Sequence, residues 1–291
     1  MDQNLLSGLS DMGLGKLEGL DIYDSSDKDG KNSKNGSADK EPVVREEDFL
    51  FDKTYVCPVC DREFKIKAVR AGRVRAMEPD MDLRPRHEHI DTLKYDMIAC
   101  PYCGYAGYGK GFQYLTPSQR KAIKENICGS FKPKKEESQL PYYTYDEALE
   151  RHKLALVNAI VKRGKASEKA YICLKTGWLF RGMREALSPD EPNYDNKKLE
   201  YEQTENQFLR NAYDGFIHAR ESESFPIAGM DQMTLDFLLT NLAIRFEEYD
   251  TASRLVASLL SSKTTPARIK DKTRDLKMII LEKMREQKAN E

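Results

Sequence analysis

The chain has 291 residues, of which 40% are hydrophobic and 33% are charged, and its formal net charge is −1. The hydrophobic share supports a packed core in one large or two small domains, and the near-neutral charge excludes binding to polyanions through overall composition. No run approaches the ~18 apolar residues that a membrane span needs, and acidic residues interrupt the apolar positions near the N-terminus. We therefore expect a cytoplasmic protein without a signal peptide or a membrane partner.

Residues 1–42 are predicted to be a disordered tail with a short apolar segment. Residues 24–42 carry no large apolar side chain, so they cannot bury enough surface to offset the entropy lost on ordering. Before them, leucines from Leu5 to Leu20 form a sparse apolar series broken by glycines. The series has two interpretations: an unstructured tail, or a short peptide that docks on its own domain or on a partner.

Residues 43–115 contain two CxxC motifs between short β-like runs, an order typical of a small metal-stapled module. The first motif is Cys57 and Cys60, and the second is Cys100 and Cys103. Stable disulfides are rare in the cytoplasm, and two such pairs in one chain indicate a single tetrahedral site with four thiolate ligands. Gly104 follows the second pair, and its backbone freedom lets amide N–H groups turn towards the sulfurs.

We predict that these four cysteines hold a structural zinc ion, with iron as the main rival. A redox pair is the other interpretation, but a thioredoxin-type CxxC lies between a strand and a long helix, whereas the residues after each pair here look extended. Four thiolates leave no open position for a catalytic water, which argues against a zinc hydrolase. Cys128 and Cys173 lie outside the pattern and are predicted to be ordinary buried thiols.

Two charged stretches lie between the CxxC motifs. Residues 61–75 carry six basic and two acidic side chains, which suits either a solvated strand pair or a surface that binds phosphate backbones. Residues 78–90 alternate in charge, which suits either a solvated edge strand or a surface for a ligand or partner. His87 and His89 in this stretch are potential metal ligands, but four thiolates already complete a site.

A helix is predicted to begin after Thr116, because this residue can act as the N-cap, with Pro117 in the first turn and Gln119 completing a capping box. Gly129 is its predicted end. Residues 116–141 are therefore assigned to a connecting helix and a linker.

Residues 142–291 are predicted to be a helical domain, because apolar residues recur there at helical spacing in six stripes. The connections are short, which favours antiparallel neighbours. The sequences YDEAL at 145–149 and YDTAS at 249–253 resemble tetratricopeptide (TPR) repeats, although no strict period emerges. The predicted fold class is α+β, mostly α: a small zinc-stapled β module followed by an antiparallel TPR-like helical array.

The order of these motifs resembles the bacterial domain of unknown function family 2225. The likeness covers residues 45–262 and includes CPVC, the stretch DMDLRP at 80–85 and CPYCGYA, followed by the helices. It implies a cytoplasmic bacterial protein with a zinc-binding segment whose ligands are Cys57, Cys60, Cys100 and Cys103. His87 stands where the family pattern has a tyrosine. The family carries no assigned activity.

The sequence is compatible with two functions. The first is a non-enzymatic zinc-binding adaptor or scaffold that binds a protein or peptide through its helical domain, because stacked helix pairs form concave surfaces. The second is a nucleic-acid-binding protein that uses the basic zinc module. We expect no enzyme activity, because the sequence lacks a phosphate loop, a dinucleotide-binding glycine pattern, a nucleophile elbow and a zinc-hydrolase helix.

Overall fold

Two short antiparallel hairpins carry the two CxxC motifs. Strand β1 (Leu50–Val56) pairs with β2 (Glu63–Val69), and β3 (Met97–Ala99) pairs with β4 (Ala106–Tyr108). Each CxxC lies in the turn that joins the two strands of its hairpin. The computed structural model describes residues 44–133 and 140–290, without the side chains of residues 110 and 288–290. The predicted tail at 1–42 lies outside these residues.

The connecting helix begins where the sequence predicts it. In α1 (Pro117–Ile123), the Thr116 side chain accepts a hydrogen bond from the Gln119 amide, and the Gln119 side chain accepts one from the Thr116 amide. This reciprocal capping box satisfies two amides that would otherwise have no helical partner. The chain continues through a π-helical turn at Lys124–Cys128, and Gly129 follows as the C-cap.

Six further helices make up about half of the residues that the structure describes. They are α2 (Tyr145–Val161), α3 (Ala166–Ala186), α4 (Tyr194–Ser222), α5 (Gln232–Arg245), α6 (Tyr249–Ser261) and α7 (Ala267–Asn290). Each helix packs against the next one in the sequence. The predicted class of α+β, mostly α, is therefore confirmed, whereas the TPR assignment stays a prediction. None of the described helices combines the length and apolar character that crossing a membrane requires.

The main core lies where α3 and α4 pack closely together. Gly177 on α3 permits the approach, because a Cβ atom at this position would lie 2.8 Å from the Leu209 side chain. Leu174, Trp178 and Phe216 are buried around this contact. The helical stripes therefore predict the core well. On α2, however, the apolar residue Ile160 is 56% exposed, although Ala159 before it is buried.

The segment between the two hairpins contradicts the solvated-edge-strand interpretation. Residues 78–90 form no strand, and Asp82 and Arg84 are buried. Asp82 accepts a hydrogen bond from the Trp178 indole (3.0 Å), and Arg84 donates two to Glu185 (2.9 Å each). Apart from Glu88, which pairs with Arg75, the charged side chains of this segment form ion pairs with residues of the helices.

The second hairpin packs against α2. Met97 and Ala106 form a buried cluster with Ala155 and Ala159, and the Asn158 amide donates a hydrogen bond to the Gly104 carbonyl (2.9 Å). The described residues from Val44 onwards belong to one compact unit. The division into segments 43–115, 116–141 and 142–291 stays a prediction.

Candidate metal centre

The first CxxC forms a tight turn at the end of β1. The Cys57 amide donates a hydrogen bond to the Arg62 carbonyl, and the Asp61 amide donates one to the Cys57 carbonyl (both 2.9 Å). Asp61 has a φ of 58°, in the left-handed region. Aspartate is one of the few residues with a side chain that visit this region readily. The turn therefore directs both cysteine side chains to the same side.

The second CxxC repeats this geometry. The Cys100 amide donates to the Tyr105 carbonyl (2.8 Å), and the Gly104 amide donates to the Cys100 carbonyl (3.2 Å). Gly104 has a φ of 73° and occupies the same place in its turn as Asp61 does in the first. The importance of Gly104 was readable from the sequence, but that of Asp61 was not, because aspartate signals no single backbone conformation.

The two turns bring four sulfur atoms together. Cys57 Sγ lies 3.6 Å from Cys103 Sγ, Cys60 Sγ lies 3.7 Å from Cys100 Sγ, and all four atoms lie within 4.8 Å of one another. In a regular tetrahedron, zinc–sulfur bonds of about 2.3 Å place the sulfurs about 3.8 Å apart. The donor set and its spacing therefore fit a four-coordinate ion. All six cysteines of the chain are free of disulfide bonds.

An apolar shell surrounds the sulfurs. Cys57, Cys100 and Cys103 are buried, and Cys60 is partly buried. Side chains from both hairpins and from the α1 region complete the cluster: Val59, Phe64, Ile66, Ile98, Tyr105, Phe112, Ile123 and Ile127. Such a shell limits solvent access, which suits a structural site more than a catalytic one.

Backbone amides point at the sulfurs, as predicted for the second turn. Amides of Val59 and Cys60 interact with the Cys57 sulfur, and the Tyr102 amide interacts with that of Cys100. Hydrogen bonds from the Cys103 and Cys57 thiols lower the pKa of Cys100, and the bond with Cys100 raises the pKa of Cys57. A cysteine must lose its proton to ligate a metal ion, so a divalent cation bound here would release protons from these thiols.

The two histidines of the 78–90 segment lie outside the four-sulfur group. His87 Nδ1 lies 3.3 Å from the Thr92 hydroxyl, and the His89 ring stacks on Phe49 with centroids 6.3 Å apart. Both histidines therefore have local partners at the surface of the module. Their assignment as metal ligands finds no support among the described residues.

The two remaining cysteines differ from each other. Cys173 is buried in the main helical core, as expected for an ordinary thiol. Cys128 is only partly buried, and it packs against the apolar shell of the metal site. Burial raises the pKa of Cys128, and a hydrogen bond between its side chain and that of Cys103 opposes this rise. Nothing in the sequence indicates that Cys128 packs on this shell, because a lone cysteine after a helix forms no motif.

A comparison with protein-family models finds a match over the region that contains these motifs. A family model described as "Uncharacterized protein conserved in bacteria (DUF2225)" matches residues 50–280. The chain belongs to this family. The match spans both CxxC turns and most of the helical array, and it confirms the resemblance seen in the sequence. Neither the curated proteins nor the solved structures include a significant match to the chain.

Proposed function

We propose that this DUF2225 protein is a non-enzymatic adaptor in which one structural zinc ion, held by Cys57, Cys60, Cys100 and Cys103, fixes a groove that binds a segment of another protein. The observation that carries the proposal is a groove of about 1560 Å³ between β2, the second CxxC turn and α2. Its walls thus come from both sides of the predicted boundary between the metal module and the helical domain. Removing the ion would therefore loosen one wall of the groove.

The groove is built on a fixed junction between β2 and α2. The Lys67 amide donates a hydrogen bond to the Tyr143 hydroxyl (2.9 Å), and the Arg151 guanidinium lies 3.9 Å from the centroid of the Tyr143 ring. Thr144 caps α2 through a reciprocal pair of hydrogen bonds with Glu147. These contacts hold the start of α2 against the hairpin, and a preformed groove loses less entropy when it binds a partner.

The floor of the groove offers exposed apolar surface. Val157 on α2 is 48% exposed and Leu140 is 44% exposed, and Phe131 and Leu154 line the groove beside them. Exposed apolar groups that cluster in a concavity mark binding sites more reliably than isolated ones do. The floor therefore suits apolar side chains of a partner.

The rim of the groove is mainly basic. Five basic side chains line it against three acidic ones, namely Lys65, Lys67, Lys132, Arg151 and Lys153 against Asp52, Glu147 and Glu150. Lys67 pairs with Asp52 (2.8 Å), whereas Lys153 is exposed. The partner that complements these walls is a peptide segment with apolar side chains flanked by acidic ones.

The basic stretch at 61–75 supports the adaptor over nucleic-acid binding, because several of its side chains are engaged within the chain. Arg70 donates to the Leu50 carbonyl (2.9 Å), Arg73 to the Asp48 carbonyl (3.3 Å), and Arg75 pairs with Glu88 (3.6 Å). A phosphate backbone would have to compete with these contacts. Nucleic-acid binding is thus the alternative function, and binding measurements with labelled oligonucleotides test it.

The test is selection of peptides from a random display library on the purified full-length chain, followed by binding measurements with the selected peptides. We expect selected peptides to combine apolar and acidic residues. Val157→Glu, which places a charge on the floor, should weaken their binding about ten-fold or more. Leu199→Glu is the matched control, because Leu199 is also exposed (55%) but lies on α4.

A second pair of variants tests the rim. Lys153→Glu should weaken the same peptides, and the effect should shrink as salt rises, because the attraction is between partly exposed charges. Lys198→Glu, an exposed lysine on α4, is its control. The proposal fails if no peptide is enriched, if the peptides bind Val157→Glu as tightly as the wild type, or if basic peptides are selected instead.

A further inference from the structure

The chemistry that the groove suits also occurs in the sequence of this chain. Residues 2–24, which lie outside the part that the structure describes, carry five acidic side chains against one basic one. Their apolar side chains are mostly leucines, namely Leu5, Leu6, Leu9, Leu14, Leu17 and Leu20. Apolar side chains flanked by acidic ones complement the apolar floor and the mainly basic rim of the groove. Residues 2–24 are called the leucine–acidic segment below.

The first described residues lie beside one wall of the groove. Glu46, two residues after Val44, accepts a hydrogen bond from the Tyr95 hydroxyl (2.7 Å). The Tyr95 ring stacks on the ring of Tyr143, with centroids 5.4 Å apart. Tyr143 lines the groove, and its hydroxyl accepts the hydrogen bond that joins β2 to the start of α2. One aromatic pair therefore connects the start of the described chain to the wall of the groove.

The chain between the leucine–acidic segment and Val44 is long enough to let the segment reach the groove. Residues 25–43 can span about 60 Å, because an extended chain advances ~3.3 Å per residue. A ligand tethered in this way acts at an effective concentration of millimolar order. With an intrinsic Kd of about 0.1 mM and a local concentration of about 1 mM, the segment would weaken a competing ligand about ten-fold. Even a weakly binding segment therefore regulates the groove.

We infer that the leucine–acidic segment occupies the groove of its own molecule and competes with the partner. The inference rests on the proposed function, since it assigns a second, covalently attached ligand to the same groove. Leucine side chains cover the floor around Val157, and acidic side chains lie against the basic rim at Lys153. A partner with the same chemistry must displace the segment, so the chain rejects partners that bind more weakly than its own residues do.

The test measures how tightly a fluorescently labelled synthetic peptide of residues 2–24 binds to the full-length chain, by fluorescence anisotropy. The wild type is compared with a serine variant that combines Leu14→Ser, Leu17→Ser and Leu20→Ser. A methionine variant, with Leu→Met at the same three positions, is the matched control because methionine keeps the apolar character. All three positions lie outside the described residues, so the walls of the groove are the same in each protein.

We expect the peptide to bind the serine variant several-fold more tightly than it binds the wild type or the methionine variant, because the serine variant's own segment no longer competes. Adding Val157→Glu to the serine variant should weaken binding about ten-fold. Adding Leu199→Glu, on α4, should leave it unchanged. Binding should also weaken as salt rises, because opposite charges attract across the rim. Light scattering should find the same molecular mass for the wild type and the serine variant over a concentration series.

The inference is overturned if the peptide binds none of these proteins, if Val157→Glu leaves its binding unchanged, or if the wild type and the serine variant bind it equally. A dimer that forms in the wild type but not in the serine variant would place the segment in a second copy of the chain, which also contradicts the inference.

These outcomes differ from a failure of the proposed function. If library peptides bind the groove but the peptide of residues 2–24 does not, the groove remains a partner site and only this inference is refuted. If the peptide of residues 2–24 binds but no library peptide is enriched even on the serine variant, the groove serves the chain's own segment and the proposed function is refuted instead.

Discussion

Arg181 Nη2 lies 2.6 Å from Asp82 Oδ2, which joins the C-terminal part of helix α3 to the segment between the two CxxC turns. Both side chains are 11% exposed, and Asp82 also accepts the hydrogen bond from Trp178. The same guanidinium donates through Nε to Glu205 on α4 (2.8 Å). One arginine thus connects the metal module to two helices. Burial acts to lower the pKa of Arg181, but the carboxylates of Asp82 and Glu205 outweigh it and raise the pKa further above the ordinary range.

Replacing Glu205 should destabilise the fold strongly. Its fully buried carboxylate accepts hydrogen bonds or ion pairs from Arg181 (2.8 Å), Arg184 (3.0 Å) and Arg245 (2.9 Å). Because Glu205→Gln leaves these cations without their buried anion, we expect a loss of about 3–5 kcal/mol in the free energy of unfolding, measured by urea denaturation. Glu191→Gln, which breaks an exposed pair with Lys197, should change little. If Glu205→Gln and Glu191→Gln lowered the free energy of unfolding equally, the burial of Glu205 would not explain its contribution to stability.

Metal removal should be visible at Trp178, the only tryptophan. The indole is 3% exposed and bonded to Asp82, which lies between the two CxxC turns in the sequence. Because an ion held by the four cysteines would fix both ends of that segment, we expect a strong chelator to shift the Trp178 emission to longer wavelength and to lower the melting temperature. Elemental analysis should find about one zinc per chain. Cys100→Ser should carry none and respond little to the chelator. An unchanged emission after the ion is removed would contradict the link.

Gly104→Ala should damage the second CxxC turn. The residue has a φ of 73°, and the added Cβ would lie 2.5 Å from the Phe131 ring. Left-handed strain and this clash together should cost about 1–3 kcal/mol of stability and lower the affinity for zinc. Gly72→Ala is the control, because no heavy atom lies within 4 Å of a Cβ there. If Gly104→Ala binds zinc as tightly as Gly72→Ala and the wild type do, the predicted strain at Gly104 is wrong.

Acidification should destabilise the fold through His152. Complete burial lowers the pKa of its imidazole from 6.5 to about 4, while the charge of nearby Asp96 raises it and that of Lys175 lowers it. Since the folded pKa lies below the unfolded one, the unfolded chain binds more protons between these values. This stabilising contribution is present above pH 6.5 and is lost as the pH falls towards 4, by roughly 3 kcal/mol in total.

Urea denaturation at several pH values tests this contribution. The imidazole Nδ1 lies 2.8 Å from the Ala148 carbonyl, and the side chain is buried, so a polar substitute of similar size is needed. In His152→Gln, the acid-dependent loss should be smaller than in the wild type. His218→Gln removes an exposed histidine and should leave the loss unchanged. Subtracting the His152→Gln curve from the wild-type curve isolates the contribution of His152 from those of the other titrating groups.

The adaptor proposal predicts weak or no binding to nucleic acid. Labelled single- and double-stranded oligonucleotides should show no salt-sensitive change in fluorescence anisotropy with the full-length chain at low salt. Binding that falls steeply with salt, and that weakens when Arg70, Arg73 and Arg75 are replaced together by Ala, would favour the alternative function instead.

The sequence alone determined the features that depend on neighbouring residues. The two CxxC turns, the Thr116 cap and the helical stripes each arise within a few residues of chain, so their spacing suffices to predict them. The four cysteines followed from the chemistry of paired thiolates, although only the structure supplies the sulfur spacing, while the identity of the ion stays a prediction.

Tertiary structure decided everything that depends on residues distant in sequence. The alternating charges at 78–90 favour a solvated strand in the sequence. In the structure Asp82 is instead buried, because it bonds with Arg181 and Trp178, which lie 99 and 96 residues further along the chain. Cys128 is predicted from the sequence to be an ordinary buried thiol, but the chain reversal at Ile127 leaves it only partly buried, packed against the apolar shell of the four-sulfur group. Whether a polar side chain is buried, and which group it bonds with, depends on which parts of the chain pack together in the fold. The local sequence does not contain that information.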